Sequence, residues 1–395
     1  MNWRGILFLG GRYLAGNRAK TVLLVLAFTL VWLLPAAIAL VVGKVEEKLR
    51  ARASETPLVL GHAGSALELT FNALYFSKPE IATISAKEAD AVSATDLADA
   101  IPVYSRFSAG GKRIVGTTID YFFFREFSYE DGRTLIRPGE CVVGSAVAAE
   151  NGIAVGDAII SSPETLFDLA GVYPLKMTVC GVLEPSGSPD DHAIFVDLKT
   201  SWIIEGLGHG HQAAEQTDEE KRLVTDAGEE GVIRLNASIE EFNEINADNI
   251  DSFHFHGEMG DNPVTAVIVI PRGAKEQALL KGRFESSTTR QLITPSEEMD
   301  ELFATVFSVQ RIVLWLLVAV GVATLMIGAM VFLLSNRLRR EEFRHLRHLG
   351  ASAGTLRGLI VFEGVFVVIA SLLCATLGLV AIAALAPFVI ERMIG

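Results

Sequence analysis

The sequence predicts an α-helical membrane protein with three spans plus a large mixed α/β extracytoplasmic domain. Three observations carry that prediction: three long apolar runs, basic residues clustered at particular ends of those runs, and an acidic, β-rich stretch between the first run and the second. Of the 395 residues, 50% are hydrophobic and 21% charged. The mean hydropathy of +0.38 is too high for an ordinary soluble domain. The 47 acids and 34 bases give a net charge of −13, which argues against a nucleic-acid partner. Three cysteines exclude a disulfide-stapled secreted scaffold.

The first apolar run, residues 21–43 (TVLLVLAFTLVWLLPAAIALVVG), contains no charge. As a helix it is about 34 Å long, against roughly 30 Å of bilayer hydrocarbon. Pro35 is expected to kink this helix without ending it, because lipid offers the backbone no partner outside a helix. The leader, residues 1–20, carries Arg4, Arg12, Arg18 and Lys20. The run is longer than the apolar part of a signal peptide and no small-residue cleavage pattern follows it, so an uncleaved span is expected. The leader suits a short amphipathic helix in the inner headgroup layer, with Trp3 and Tyr13 as anchors. A second span is expected at 311–335. The third run, 358–390, is interrupted only by Glu363; at about 50 Å it reads as one long tilted or protruding helix. Glu363 sits near the inner interface, where a hydrogen-bonded structural role is expected of it. Gly364, Ala375 and Gly378 are small enough to let a neighbouring helix approach closely.

Orientation follows from the charges. Residues 336–357 carry Arg337, Arg339, Arg340, Arg344, Arg347 and Arg357, so this hairpin and the basic leader are expected in the cytoplasm. Residues 44–310 then lie outside, as does the tail 391–395.

Within the external segment, residues 45–53 (VEEKLRARA) read as a charged helical continuation of the first span, and 300–310 as its counterpart leading into the second. Strands are expected at 140–144, 158–161, 175–183, 193–196 and 265–270, with a short helix at 145–151. Residues 213–230 form an acidic, polar excursion. Cys141 and Cys180 fall on predicted strands, where a bridge and two buried thiols are both compatible with the sequence. There is no G-x-S-x-G, H-E-x-x-H, C-x-x-C or Walker A motif, so the chain is expected to be non-catalytic and any nucleotide energy to come from a partner. His209 and His211 in GLGHGHQ and His254 and His256 in SFHFHGE form two H-x-H pairs. On an extended strand each pair points both imidazoles to one face, which suits zinc; exposed loop histidines without a ligand are the simpler reading.

The hairpin sequence RLRREEFRHLRHLGAS places Phe343, Leu346 and Leu349 at helical spacing, with Gly350 as a stop. Here the chain resembles the FtsX-like and MacB-like ABC transporter permease family of the mechanotransmission type. The resemblance runs through Arg339, Arg340, Glu341, Phe343, Leu346 and Leu349-Gly350-Ala351-Ser352, the LIVFEG stretch at 359–364, and residues 57–76, 139–159 and 184–198 of the external part, which are similar to a MacB-like periplasmic core domain. Members have four spans, whereas this chain is expected to cross three times. The resemblance implies a permease subunit of a bacterial inner membrane, with residues 44–310 in the periplasm, coupled to a cytoplasmic ABC ATPase dimer that binds ATP and Mg, with Arg339 to Ser352 docking on that ATPase. It also implies a second permease copy or paralogue, and leaves room for a periplasmic or lipoprotein partner. The competing readings are a membrane-anchored scaffold that regulates a cell-envelope enzyme, and zinc handling through the histidine pairs.

Overall fold

The computed structural model describes residues 3–77, 80–162, 174–210, 222–223, 234–235, 243–246, 249–255 and 257–394. In chain order the helices are α1 (Trp3–Gly16), α2 (Arg18–Ser54), α3 (Ala66–Tyr75), α4 (Lys87–Ser93), α5 (Ile119–Phe124), α6 (Ser145–Asn151), α7 (Leu198–Ile204), α8 (Ala274–Phe284), α9 (Pro295–Leu338), α10 (Arg340–His348) and α11 (Ala353–Ile394). Three of them, α2, α9 and α11, are long and apolar enough to cross a membrane. The chain divides into a helical unit, Met1–Glu47 with Phe303–Ile390, and a globular unit, Lys48–Leu302 with Glu391–Gly395.

In the helical unit, small residues set the packing. A Cβ on Gly321 or Gly328 of α9 would meet Val31 or Phe28 of α2, and one on Gly378 of α11 would meet Leu33. In lipid, where apolar side chains gain little by leaving their surroundings, such close backbone approach is what favours helix association. Thr29 Oγ1 adds a hydrogen bond to the Ser371 carbonyl at 3.3 Å. Pro35 lies inside α2, which continues past it. The basic amphipathic α1 is pinned by one face: Ile6 is fully buried among Phe343, Leu346, Leu356, Leu359 and Phe362, and a Cβ on Gly10 would fall 2.3 Å from the Phe362 ring. Trp3, Leu7 and Phe8 remain exposed on α1. Tyr13, read from sequence as a headgroup anchor, lies under the Arg339 guanidinium, its ring centroid 3.3 Å away.

The globular unit is built on a twelve-stranded mixed sheet. Its main strands are β1 (Leu58–His62), β2 (Ala98–Tyr104), β3 (Lys112–Thr117), β4 (Glu140–Val143), β5 (Leu175–Leu183), β6 (Ala193–Asp197), β7 (Ala266–Pro271) and β8 (Arg290–Ile293). They run in the order β5-β4-β6-β3-β2-β7-β1-β8, with the short strand Asn243–Glu244 outside β5. The pairs β4/β5 and β3/β6 are parallel; the other neighbours among these eight are antiparallel. The central strands read as continuous apolar runs because both faces are covered. Ile114, Ile194, Val196, Val267 and Val269 pack on one face. Val115, Val142, Phe195 and Ile268 pack on the other, where Phe76, Tyr121, Phe122 and Phe127 surround Phe195 at centroid distances of 5.3 to 6.1 Å.

The same alternation decides the thiols. The β4/β5 register steps from Cys141↔Val179 to Val142↔Gly181, so Cys180 is the extra residue of a bulge. Cys141 then belongs to the first face and Cys180 to the second, and both are free.

Candidate functional site

The globular unit contains a buried ionic anchor. On α2, Leu49, Arg52 and Ala53 lie at helical spacing and are all buried. Arg52 meets Asp190 at two points, Nη1 to Oδ2 and Nη2 to Oδ1, each 2.8 Å. Its Nη2 also donates to the Tyr121 hydroxyl at 2.9 Å, and that hydroxyl donates to Asp190 Oδ1 at 2.8 Å. Tyr75 donates to the Leu49 carbonyl of α2 at 2.6 Å. Burial works against the Arg52 charge, but Asp190 and Tyr121 outweigh it and hold its pKa above the ordinary arginine value. Burial, reinforced by the Asp190 carboxylate, pushes the Tyr121 phenol up to about 12. The cluster is therefore a fixed Arg⁺/Asp⁻ pair with a neutral phenol bridging it.

Local sequence folds the loop that presents Asp190. In SGSPDD, the Asp191 carboxylate accepts from the N–H groups of Ser186 and Gly187 and from Ser186 Oγ at 2.7 to 3.2 Å. Gly187 takes φ +68°, a left-handed conformation natural for glycine. Ser188 caps the short 3₁₀ turn Pro189–His192, and its hydroxyl donates to Asp190 Oδ2 at 3.0 Å. Behind the loop, a Cβ on Gly144 would fall 2.3 Å from the carbonyl oxygens of Asp190 and Asp191. Nearer the protein surface, Arg50 of α2 pairs with Asp300 of α9, an exposed contact that contributes little by itself.

Elsewhere in the globular unit, an open cleft of about 710 Å³ lies beyond the carboxyl ends of the parallel strands β3 and β6, lined by Asp90, Asp120, Arg137, Asp197, Lys199 and Trp202 among others. Crevices at such strand ends are common ligand positions in α/β sheets.

In the helical unit, the basic hairpin residues separate into two sets. Arg339, at the break between α9 and α10, is buried; its Nη1 donates to Glu363 of α11 at 2.7 Å and its Nε to Glu342 at 3.1 Å. Glu363, the lone acid of the third apolar run, is thus ion-paired. Phe343 and Leu346 are half-buried and pack against the Ile6 cluster. Facing outward are Arg340, Glu341 (paired with Arg344 at 2.8 Å) and Ser352, while Ala351 is half-buried. Leu349 is 84% exposed. The Leu-Gly-Ala-Ser run turns the chain: Gly350 takes φ +93° after α10, and Ser352 Oγ accepts from the Thr355 N–H at 3.2 Å to start α11.

The histidine pairs are only partly in view. His211 and His256 lie outside the described residues. The antiparallel pair Gly208–Gly210 and Phe253–Phe255 sets His209 directly opposite His254 in the backbone register. Among the described residues no group of three or more His, Cys, Asp or Glu is placed to hold a metal ion.

The family model for the MacB-like periplasmic core domain matches residues 36–237, just over half of the chain. The chain belongs to that family. Its members' domain is the periplasmic part of ABC-type transporter permeases, in keeping with three apolar helices beside a mixed α/β unit. This MacB-like chain is similar to the periplasmic region of MacB from Actinobacillus actinomycetemcomitans, at 12% identity over 67% of this chain and 97% of that one, with a TM-score of 0.35. It is also similar to the extracellular domain of the noncanonic ABC-type transporter YknZ from Gram-positive bacteria, at 11% identity over 60% of this chain and 98% of that one, with a TM-score of 0.32. Both likenesses are low, and the assignment rests on the family match. No curated protein matches by sequence.

Sequence reasoning missed Arg52, Tyr121 and Asp190. The available signal was periodicity: Leu49, Arg52 and Ala53 continue a buried stripe through a stretch whose composition reads as solvated.

Proposed function

We propose that this MacB-like chain is the permease subunit of an ABC transporter, coupling ATP hydrolysis by a cytoplasmic partner ATPase to motion of its periplasmic domain. The coupling serves export or extraction of a substrate at the outer face of the inner membrane. One observation supports this reading above the others: the helix that carries the first apolar run has Arg52 in its last turn, and that guanidinium is held at two points by Asp190 in the interior of the globular unit. A helix that only tethered a domain would need no such anchor, and a flexible linker would dissipate displacement. The hairpin offers Glu341, Leu349 and Ser352 to the ATPase, while Arg339, Phe343 and Leu346 hold the hairpin to α1 and α11. ATP and Mg belong to the partner. A second permease copy or a paralogue completes the transporter.

The test is co-purification of the full chain with its ATPase. Leu349→Asp should abolish association while leaving membrane insertion intact, and retention of a full complement of ATPase would defeat the proposal. A scaffold would go on functioning with a hydrolysis-dead ATPase, whereas a mechanical transmitter would stop.

A second reading, zinc handling, is favoured by the His209↔His254 register. Calorimetric titration of the full chain with zinc should then give binding that disappears when His209, His211, His254 and His256 are all replaced by alanine.

A further inference from the structure

Within the helical unit, the basic end of α9 meets α10 and α11 around a pocket of about 560 Å³, within the range of small-molecule sites. Its walls are apolar: Met330, Leu333 and Leu334 from α9 and Ile360 from α11. Its polar side is formed by Arg337 and Arg340. Neighbouring arginines are neutralised, Arg339 by Glu363 and Glu342, and Arg344 by Glu341. Among the described residues, Arg337 and Arg340 have no carboxylate partner. The pocket therefore presents two uncompensated guanidinium groups above an apolar slot, at the level where an apolar helix ends.

Asn336 and Phe343 also line the pocket. The Phe343 ring is held beneath the Arg339 guanidinium at 4.8 Å, so this wall is fixed by the Arg339–Glu363 pair.

We propose that this pocket binds an anionic glycerophospholipid. Its phosphodiester sits between Arg337 and Arg340, which suit planar, charge-assisted recognition of phosphate. An acyl chain lies along Met330, Leu333, Leu334 and Ile360. Phosphatidylglycerol has both features. Basic pockets between membrane helices at the cytoplasmic side are favourable positions for acidic lipids.

The experiment is native mass spectrometry of the purified full chain in neutral detergent, titrated with phosphatidylglycerol, with phosphatidylcholine and with inorganic phosphate. No ATPase is required, so the outcome is independent of the coupling mechanism. Phosphatidylglycerol should be retained at least tenfold more tightly than phosphatidylcholine, and millimolar inorganic phosphate should fail to displace it. Arg337→Gln/Arg340→Gln should erase the preference. Arg344→Gln/Arg347→Gln, which removes equal charge outside the pocket, should keep it. Equal retention of both lipids, displacement by phosphate alone, or equal loss in the two double variants would overturn the proposal. A preference that vanishes when the chain dimerises would assign the face to a second copy, and would also overturn it.

Discussion

Arg52 on α2 and Asp190 in the loop before β6 hold each other at two points of 2.8 Å with both side chains buried. Within the globular unit, one carboxylate thereby fixes the last turn of α2 to a loop that is itself braced by Asp191 and Gly144. An ion pair of this kind adds little net stability over a packed apolar pair, but it fails badly when one partner is removed. It therefore defines a position more than it supplies energy.

Replacing Asp190 tests that directly. Asp190→Asn should destabilise the globular unit by about 3–5 kcal/mol, because Arg52 is left buried and charged. Arg52→Met/Asp190→Leu should recover most of the loss. Tyr121→Phe, which removes only the hydroxyl bridging two charged groups, should cost about 1.5–3 kcal/mol. Denaturant unfolding of the full chain in detergent, followed by tryptophan fluorescence, measures all three.

A defined acid limb is expected from Glu140. Its carboxylate accepts from Arg133 at 2.6 and 2.8 Å and from the N–H groups of Ile136 and Arg137, and these bonds, Arg133 foremost, hold its pKa down at about 2 against an ordinary 4.5. A carboxylate depressed in the folded state stabilises fully above its unfolded pKa and loses that contribution as protons are forced onto it. The stability of the wild type should thus fall between about pH 4.5 and pH 2, and Glu140→Gln should flatten this window and be less stable at pH 7. Thermal midpoints across pH 2–7 provide the check; identical profiles would refute the assignment.

Glu363 and Arg339 make a matching prediction for the hairpin. Glu363→Ala leaves the buried Arg339 without its closest partner and should destabilise the helical unit by about 3 kcal/mol. Cross-linking between cysteines at position 6 and position 359, adjacent in the Ile6 cluster, should fall in the variant if the pair holds α10 and α1 in place. Unchanged cross-linking would reduce Glu363 to a bystander.

The thiols yield an outcome the sequence left open. Cys141 and Cys180 lie on opposite faces of the sheet, and burial raises both thiols, that of Cys180 to about 11. Neither should react with maleimide in the folded protein, and both should react after denaturation without reductant. A mass two units low, surviving in the Cys374→Ser variant, would reveal a bridge and contradict the register.

Much of the architecture was legible from patterns that need no partner. Charge-free runs longer than the bilayer core determine membrane helices, and β-rich runs such as 175–183 determine strands, because local backbone satisfaction and hydrophobic burial act on neighbours in sequence. The Leu-Gly-Ala-Ser turn was equally readable, since a left-handed glycine and a serine cap are local devices. Which hairpin residues face outward was not readable. Arg339 and Arg340 are adjacent and chemically identical, yet one is stacked on Tyr13 and paired with Glu363 while the other is exposed.

The sequence by itself determined the class of protein, its apolar helices and its family. Only the tertiary structure decided that Arg52 meets Asp190, that Cys141 and Cys180 are separated by the sheet, and that Tyr13 lies beneath Arg339. Each of those relationships joins residues distant along the chain, or depends on a single bulged residue. Periodicity reports which face of an element is buried, and the partner across that face is settled only when the elements pack.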